Sequence, residues 1–420
     1  MASIPRLKAG SSAELVECRD ELITEILSRI STRDVLKMST VHKRWRSLIF
    51  DPSFAHTHHK NCHRESMFCF SDIHGQSIRY QFRYYNSQTG NLSIVPFSRE
   101  GLDSFFQNGH LWLLTASNGL MCFHLSATKY SRFSSEIPML WVYNPATMFL
   151  KKLSVPSKVD ASNAFFIEIC YTQNTLKFVM AGFSVAEESP YTLVFDSQSN
   201  SWHEGRPLLR SINLDDYVGK PLFFNGVIYF AARVESIDAE ELKEIRDVEA
   251  LFRDDDDLLY MIMGYDVNQD QWSFSIFIPA SVGFPYCLTE WEGNLLVCAS
   301  NSTHEENLFA LAANSTHDRN QRIRYSSDEG DGHFVFWILD TEHKLWIRER
   351  ELDLSHEFHT NWMVSASGGV VWFICGYNSV TVYQMKNRHW STHRLDNSLA
   401  SRQQLEYISC ISFEPTLLSF

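Results

Sequence analysis

Apolar side chains first recur at helical spacing. Leu22, Ile23, Ile26, Leu27 and Ile30 stand at i, i+1, i+4, i+5 and i+8 and share one face, while Glu21, Thr24, Glu25 and Ser28 take the other. Ser31-Thr32-Arg33-Asp34 reads as a capping box opening a short second helix with Val35, Leu36 and Met38. The chain restarts near Ser39-Thr40. Val41, Trp45, Leu48 and Ile49 then predict a third helix, with Lys43, Arg44 and Arg46 outward, which Asp51-Pro52 ends. Three helices this short need a surface to lean on.

From Met67 onward strand signals alternate with turns. Asn118-Gly119, Asn225-Gly226, Glu292-Gly293 and Gly368-Gly369 each precede an apolar strand. A second pattern returns six times: an aromatic or apolar residue, then Asn, Asp or Gln, then a large apolar residue farther on. It reads Tyr85-Asn86 to Leu92, Tyr143-Asn144 to Phe149 (one residue shorter), Phe195-Asp196 to Trp202, Tyr265-Asp266 to Trp272, Leu339-Asp340 to Trp346 and Tyr383-Gln384 to Trp390. Such a repeat is one supersecondary unit that buries its apolar face only against its neighbours. The expected architecture is an all-β propeller, six blades with seven as the alternative. The alternating tail Tyr407–Phe413 is expected to complete the first sheet and close the ring.

Composition changes this picture little. Hydrophobic residues make up 44% and charged ones 21%, ordinary for a folded chain, and aromatics at 14% suit sheet packing. Nine scattered Cys, odd in number and never spaced CxxC, argue for a reducing compartment. No secretory signal and no apolar run of about 18 residues is present, so no membrane partner is expected and the sequons at Asn91, Asn301 and Asn314 are expected to stay unused. The expected location is the cytoplasm, the nucleus or both. Charge is uneven: residues 1–66 carry +3 and the remainder −16. An acidic body repels phosphate backbones, which argues against nucleic acid as a partner.

The order of residues in the helical part resembles the F-box motif. Asp20 to Ile30, Ser31 to Leu36, Val41-His42-Lys43-Arg44-Trp45-Arg46-Ser47-Leu48-Ile49 and Asp51-Pro52-Ser53-Phe54 fall in register with it. The family often opens on Leu-Pro, where this chain has Cys18-Arg19. The repeats resemble, more loosely, the propeller of plant F-box/kelch proteins, with the kelch double glycine only at Gly368-Gly369. The resemblance implies a small all-α N-terminal F-box of three helices followed by the propeller. The domains are then a disordered 1–16, an F-box over 17–55, a linker over 56–66 and a propeller over 67–420, with insertions at 233–257 and 301–332. It also implies a function: the F-box docks the Skp-type adaptor, and through it cullin, of an SCF-type ubiquitin ligase, while the propeller holds a target protein. The chain would be a non-catalytic receptor. The implied adaptor-binding residues are Leu22, Ile23, Ile26, Leu27, Val35, Leu36, Val41, Trp45, Leu48 and Ile49, with Trp45 weighted toward internal packing. A non-degradative binding scaffold, a small-molecule-sensing receptor and a propeller enzyme remain the alternatives.

Candidate chemistry is sparse. His56, His58, His59, Cys62 and His63 crowd the expected linker, and His59-x-x-Cys62 has workable zinc spacing, but no second pair follows. Asp254–Asp257 lacks the glycine and terminal Glu of a calcium loop. No GxSxG, P-loop or GxGxxG occurs. No catalytic residue, metal or cofactor is expected. The two insertions read either as target-recognising loops or as solvated ones.

Overall fold

Four helices, not three, open the chain: α1 Asp20–Ser28, α2 Thr32–Met38, α3 Lys43–Ile49 and α4 Pro52–Asn61. The computed structural model describes residues 20–62, the strands named below with several of their turns, and short flanking stretches that include Val155, Leu208, Val282, Leu417 and Leu418. The expected tail 1–16 lies outside the described residues, as do 238–258 and 301–332, which hold most of the first expected insertion and all of the second. The chain divides into two units, Met1–His63 and Arg64–Phe420.

The fourth helix replaces most of the expected linker over 56–66. Asp51-Pro52 does end α3, but the same pair starts α4. Asp51 Oδ1 accepts from the Ser53 amide at 2.8 Å, and Pro52 occupies the first turn, where its missing N–H costs nothing. Phe54, Ala55 and His58 are buried. His58 Nε2 donates to the Ile30 carbonyl at 3.0 Å, and Asn61 Nδ2 donates to Ser28 Oγ at 3.0 Å, tying α4 to the end of α1. α2 is capped as its sequence predicts, the Asp34 amide donating to Ser31 Oγ at 3.2 Å. α3 starts later than its pattern suggests. His42 caps it, Nδ1 accepting from the Arg44 amide at 3.1 Å, so Val41 stands before the helix.

Among the described residues the second unit forms six four-stranded antiparallel sheets. The first takes β1 Ser66–His74, β2 Ser77–Asn86 and β3 Asn91–Val95. Then come β4 His110–Ser117, β5 Leu120–Ser126, β6 Met139–Asn144 and β7 Phe149–Ser154; β8 Ala164–Thr172, β9 Thr175–Ser184, β10 Ser189–Asp196 and β11 Ser201–Glu204; β12 Ile212–Phe224, β13 Val227–Ile237, β14 Leu259–Asp266 and β15 Gln271–Ile278; β16 Phe284–Trp291, β17 Asn294–Ser300, β18 His333–Asp340 and β19 Leu345–Asp353; β20 Trp362–Ser367, β21 Val370–Cys375, β22 Ser379–Gln384 and β23 His389–Arg394. The last strand, β24 Cys410–Phe413, returns to the first sheet and pairs antiparallel with β1, from Met67 opposite Phe413 to Phe70 opposite Cys410. Neighbouring sheets meet along one edge strand each: β24 by β4, β4 by β8, β8 by β12, β12 by β16, β16 by β20, and β20 by β24. This inner circuit is the propeller's wall.

Two kinds of turn recur. Asn118-Gly119, Asn225-Gly226 and Glu292-Gly293 join strands with both residues at positive φ, the two-residue hairpin turn that matches strand twist. The other turn spans four residues and ends at positive φ, at Met148, Asn200, Asp270 and Arg388, and Gly90, just before β3, also has positive φ. Here the side chain that opens the turn caps it. Asp196 Oδ1 accepts from the Gln198 and Ser199 amides, Asp266 Oδ1 from Asn268 and Gln269, and Asn144 Oδ1 from Ala146 and Thr147.

Cross-strand register makes the six repeats more regular than their spelling suggests. Tyr85 faces Leu92, Phe195 faces Trp202, Tyr265 faces Trp272, Leu339 faces Trp346 and Tyr383 faces Trp390. Tyr143 faces Leu150, not the Phe149 that sequence spacing singles out. A bulky side chain nearby in sequence masked the true partner, and no repeat is short. The tryptophans then reach backward. Trp202 Nε1 donates to the Ser154 carbonyl at 2.8 Å, Trp272 Nε1 to Arg206 at 3.1 Å and Trp346 Nε1 to Phe277 at 3.3 Å, each in or just after the preceding sheet. Trp272 also packs among Phe166, Phe230 and Tyr265.

These contacts set two stability tests. A Cβ at Gly369 would lie 2.3 Å from the Trp291 ring, whereas one at Gly293 meets nothing within 4 Å, and both residues sit at positive φ. Backbone strain alone costs about 1–2 kcal/mol, and overpacking adds about 1–3 kcal/mol. Gly369→Ala is therefore expected to lower the urea midpoint of unfolding well beyond Gly293→Ala, and equal losses would refute the clash. Burial also holds the His58 imidazole below its usual range, against the opposing bond to Ile30. Its contribution to stability is full above the ordinary histidine range and is lost as pH falls through and below it. Helix content of the first unit, followed by circular dichroism, should weaken on acidification, and His58→Gln should reduce that dependence.

Candidate docking face on the N-terminal helices

The helical spacing in α1 joins Leu22, Ile23, Ile26 and Leu27 into one stripe, but the fold splits that stripe. Ile23 and Leu27 turn inward and are buried, as are Val35 and Ile49. Leu36, Trp45 and Leu48 are half-buried. Leu22 and Ile26, one helical turn apart, remain 52% and 56% exposed. Val41 is 66% exposed, and so is Phe50 at 54%, the residue after α3. Phe50 is absent from the sequence-derived set because it falls just past the third helical run. Its signal was its type: a large aromatic between a helix and an Asp-Pro stop.

The inward side explains the split. α1 packs on α3 and α4, and α2 on α3. With α4 present, Phe54, Ala55 and His58 supply a surface that a three-helix reading lacks, and Ile23 and Leu27 find cover within their own unit. That leaves Leu22 and Ile26 to the outside. Four of the nine exposed large hydrophobics among the described residues belong to this small unit, Leu22 and Ile26 on α1, Val41 before α3 and Phe50 after it, and exposed apolar surface of this kind is a candidate for recognition.

Polar groups frame the face. Arg44 Nε donates to Asp20 Oδ1 at 2.7 Å, joining α3 to the start of α1. Lys37 Nζ donates to Asp34 Oδ1 at 2.6 Å, and Arg29 pairs with Glu25 along α1. The Lys37 hydrogen bond, with that of Ser31, holds the Asp34 carboxyl below the usual range. The Ser53 hydroxyl and amide do the same for Asp51. The Arg46 guanidinium lies 6.0 Å from the centre of the Phe50 ring. These exposed pairs orient side chains more than they stabilise.

His59 and Cys62 end on and just past α4, and His58 bonds Ile30. Among the described residues no three His, Cys, Asp or Glu side chains gather as metal ligands. Asp254–Asp257 lies outside the described residues. What these residues offer is exposed apolar area.

Comparison with known proteins agrees with this geometry. Residues 20–57 match the F-box domain family. Over 220 residues the chain is 27% identical to an F-box/kelch-repeat protein of Arabidopsis thaliana, covering 50% of this chain and 48% of that one. An F-box protein of the same plant is 24% identical over 230 residues, covering 52% and 53%. The chain thus spans about half the length of the curated relatives it matches. Among solved structures, TolB from Acinetobacter baumannii superposes with a TM-score of 0.42 at 8% identity, over 83% of this chain and 66% of that one. The chain carries an F-box domain, on four helices, followed by an all-β propeller, and it is similar in sequence to plant F-box/kelch-repeat proteins.

Proposed function

We propose that the chain is the substrate-recognition subunit of a Skp–cullin–F-box ubiquitin ligase. Its F-box docks the Skp-type adaptor, and through it cullin. The six sheets act as blades of a ring that binds a target protein. The observation that carries this reading is the division of labour in α1: Ile23 and Leu27 hold the helix down while Leu22 and Ile26 stand exposed one turn apart. A surface helix with its inner face already satisfied and an outer apolar pair is built to lie against another helix.

The adaptor-facing set is therefore Leu22, Ile26, Val41 and Phe50. Leu36, Trp45 and Leu48 sit at the margin, and Ile23, Leu27, Val35 and Ile49 serve the module's own core. Covering a Leu or Ile side chain that now faces water is worth about 1.5–3 kcal/mol each, so a few such anchors dominate the affinity. The chain itself does no chemistry. It raises the effective concentration of the target's lysines near the conjugating enzyme. The acidic second unit favours a protein target over nucleic acid, and the work takes place in the cytoplasm or nucleus.

The test is adaptor capture by the full chain carrying Leu22→Asp and Ile26→Asp. Recovery of the Skp-type adaptor should fall at least 10-fold, about 1.4 kcal/mol or more, while tryptophan fluorescence and the thermal midpoint of the second unit stay unchanged. Ile23→Asp should instead unfold the helices. Undiminished recovery with the double variant would remove the docking assignment.

A further inference from the structure

Among the described residues, the inner strand β8 of the second unit carries a fully buried carboxyl. Glu168 lies on β8, the inner strand of its sheet, and is fully buried. Its environment comes from three neighbouring sheets. From β4, Thr115 Oγ1 donates to Glu168 Oε2 at 3.1 Å, and Thr115 is itself fully buried. From β12, the Lys220 ammonium reaches across to donate to the Ala116 carbonyl, beside Thr115. Just beyond, Asn118 Nδ2 donates to the Ile169 carbonyl at 2.8 Å, tying the β4–β5 turn to β8. Glu168 Oε1 meets no donor at hydrogen-bonding distance.

We propose that Glu168, Thr115 and Lys220 form a proton-linked clasp across the inner strands β4, β8 and β12, and that the folded ring is most stable relative to the unfolded chain when the Glu168 carboxyl holds its proton. A buried carboxylate with one oxygen lacking a donor is poorly solvated, and the nearby Lys220 cation compensates only in part. The neutral acid avoids that cost. Burial pushes Glu168 up to about 7, against the opposing pull of Lys220, Ser117, Thr115 and the Ile169 amide. The other described titratable groups around it do not take over the charge. The Cys122 thiol on β5 and the Cys170 thiol on β8 are pushed up by burial and then by Glu168, so both stay neutral. Lys177 on β9 faces Cys170 and donates to the Val267 carbonyl at 3.4 Å.

The sign follows from the direction of the shift. The folded carboxyl binds its proton more tightly than the unfolded one, so the clasp contributes fully below the ordinary Glu range. That contribution is lost as pH rises toward and through about 7. The inner wall of the ring would then loosen near neutrality, on the sheets that carry the β4–β5 turn.

The experiment is urea unfolding of the full chain, followed by tryptophan fluorescence, at about pH 5 and about pH 8. Between these conditions the clasp should shift the unfolding equilibrium by on the order of 100-fold. Glu168→Gln, which keeps the shape and cannot ionise, should remove that part of the pH dependence. A slope in Glu168→Gln equal to that of the unaltered chain overturns the proposal. Lys220→Met provides a second reading should Glu168→Gln fail to fold. Without the cation, Glu168 should ionise at still higher pH, so the loss of stability must extend upward, and an unmoved profile overturns the clasp as well. Neither substitution touches α1, and adaptor capture by both variants should stay normal.

Discussion

The second unit depends on a single backbone pairing. β24, the last strand along the chain, hydrogen-bonds to β1, the first, over Met67–Phe70 and Cys410–Phe413. Without it the first sheet would lose its inner strand, β20 and β4 would lose the neighbour between them, and the circuit of inner strands would open. Side chains reinforce the seam. Gln384 Nε2 donates to the Tyr85 hydroxyl at 2.6 Å, joining the last sheet to the first, and Tyr85 packs edge-on against Trp372. On the other flank the buried Asn144 Nδ2 donates to the Leu418 carbonyl at 2.7 Å, pinning the segment after β24 onto the second sheet. Asn144 thus caps its own turn and holds the chain's return.

Around this seam the unit is assembled from one device used repeatedly. An aromatic or Leu on the third strand faces a large apolar residue on the fourth, an Asp or Asn caps the turn between them, and three of the tryptophans donate to the sheet before. Gln384 shows what happens when the capping residue is longer. Its amide reaches past the turn to Tyr85, and its Oε1 accepts from Asn387. One substitution in the repeat thereby became part of the closure.

The legible features of the sequence were those decided by near neighbours. The Ser31 cap, the glycine-centred turns before apolar strands, the recurring aromatic-Asp pattern and the return of the tail to the first sheet all depend on a few adjacent residues or on a strong alternation. The features that escaped depend on residues far away. Whether Ile23 or Leu22 faces inward is settled by α4, whose polar, His-rich spelling conceals the pairing of Phe54, Ala55 and His58. Leu150, not Phe149, faces Tyr143 because strand register decides it. Glu168 reads as an ordinary strand residue until β4 and β12 close over it.

A ring sealed by its final strand also imposes an order of events. During translation every residue up to 409 must leave the ribosome before β24 exists, and until then the inner edge of β1 presents unpaired amides and carbonyls. The nascent protein carries that sticky border from the appearance of β1 until β24 emerges. Chaperone protection of the emerging polypeptide is the corresponding cellular requirement.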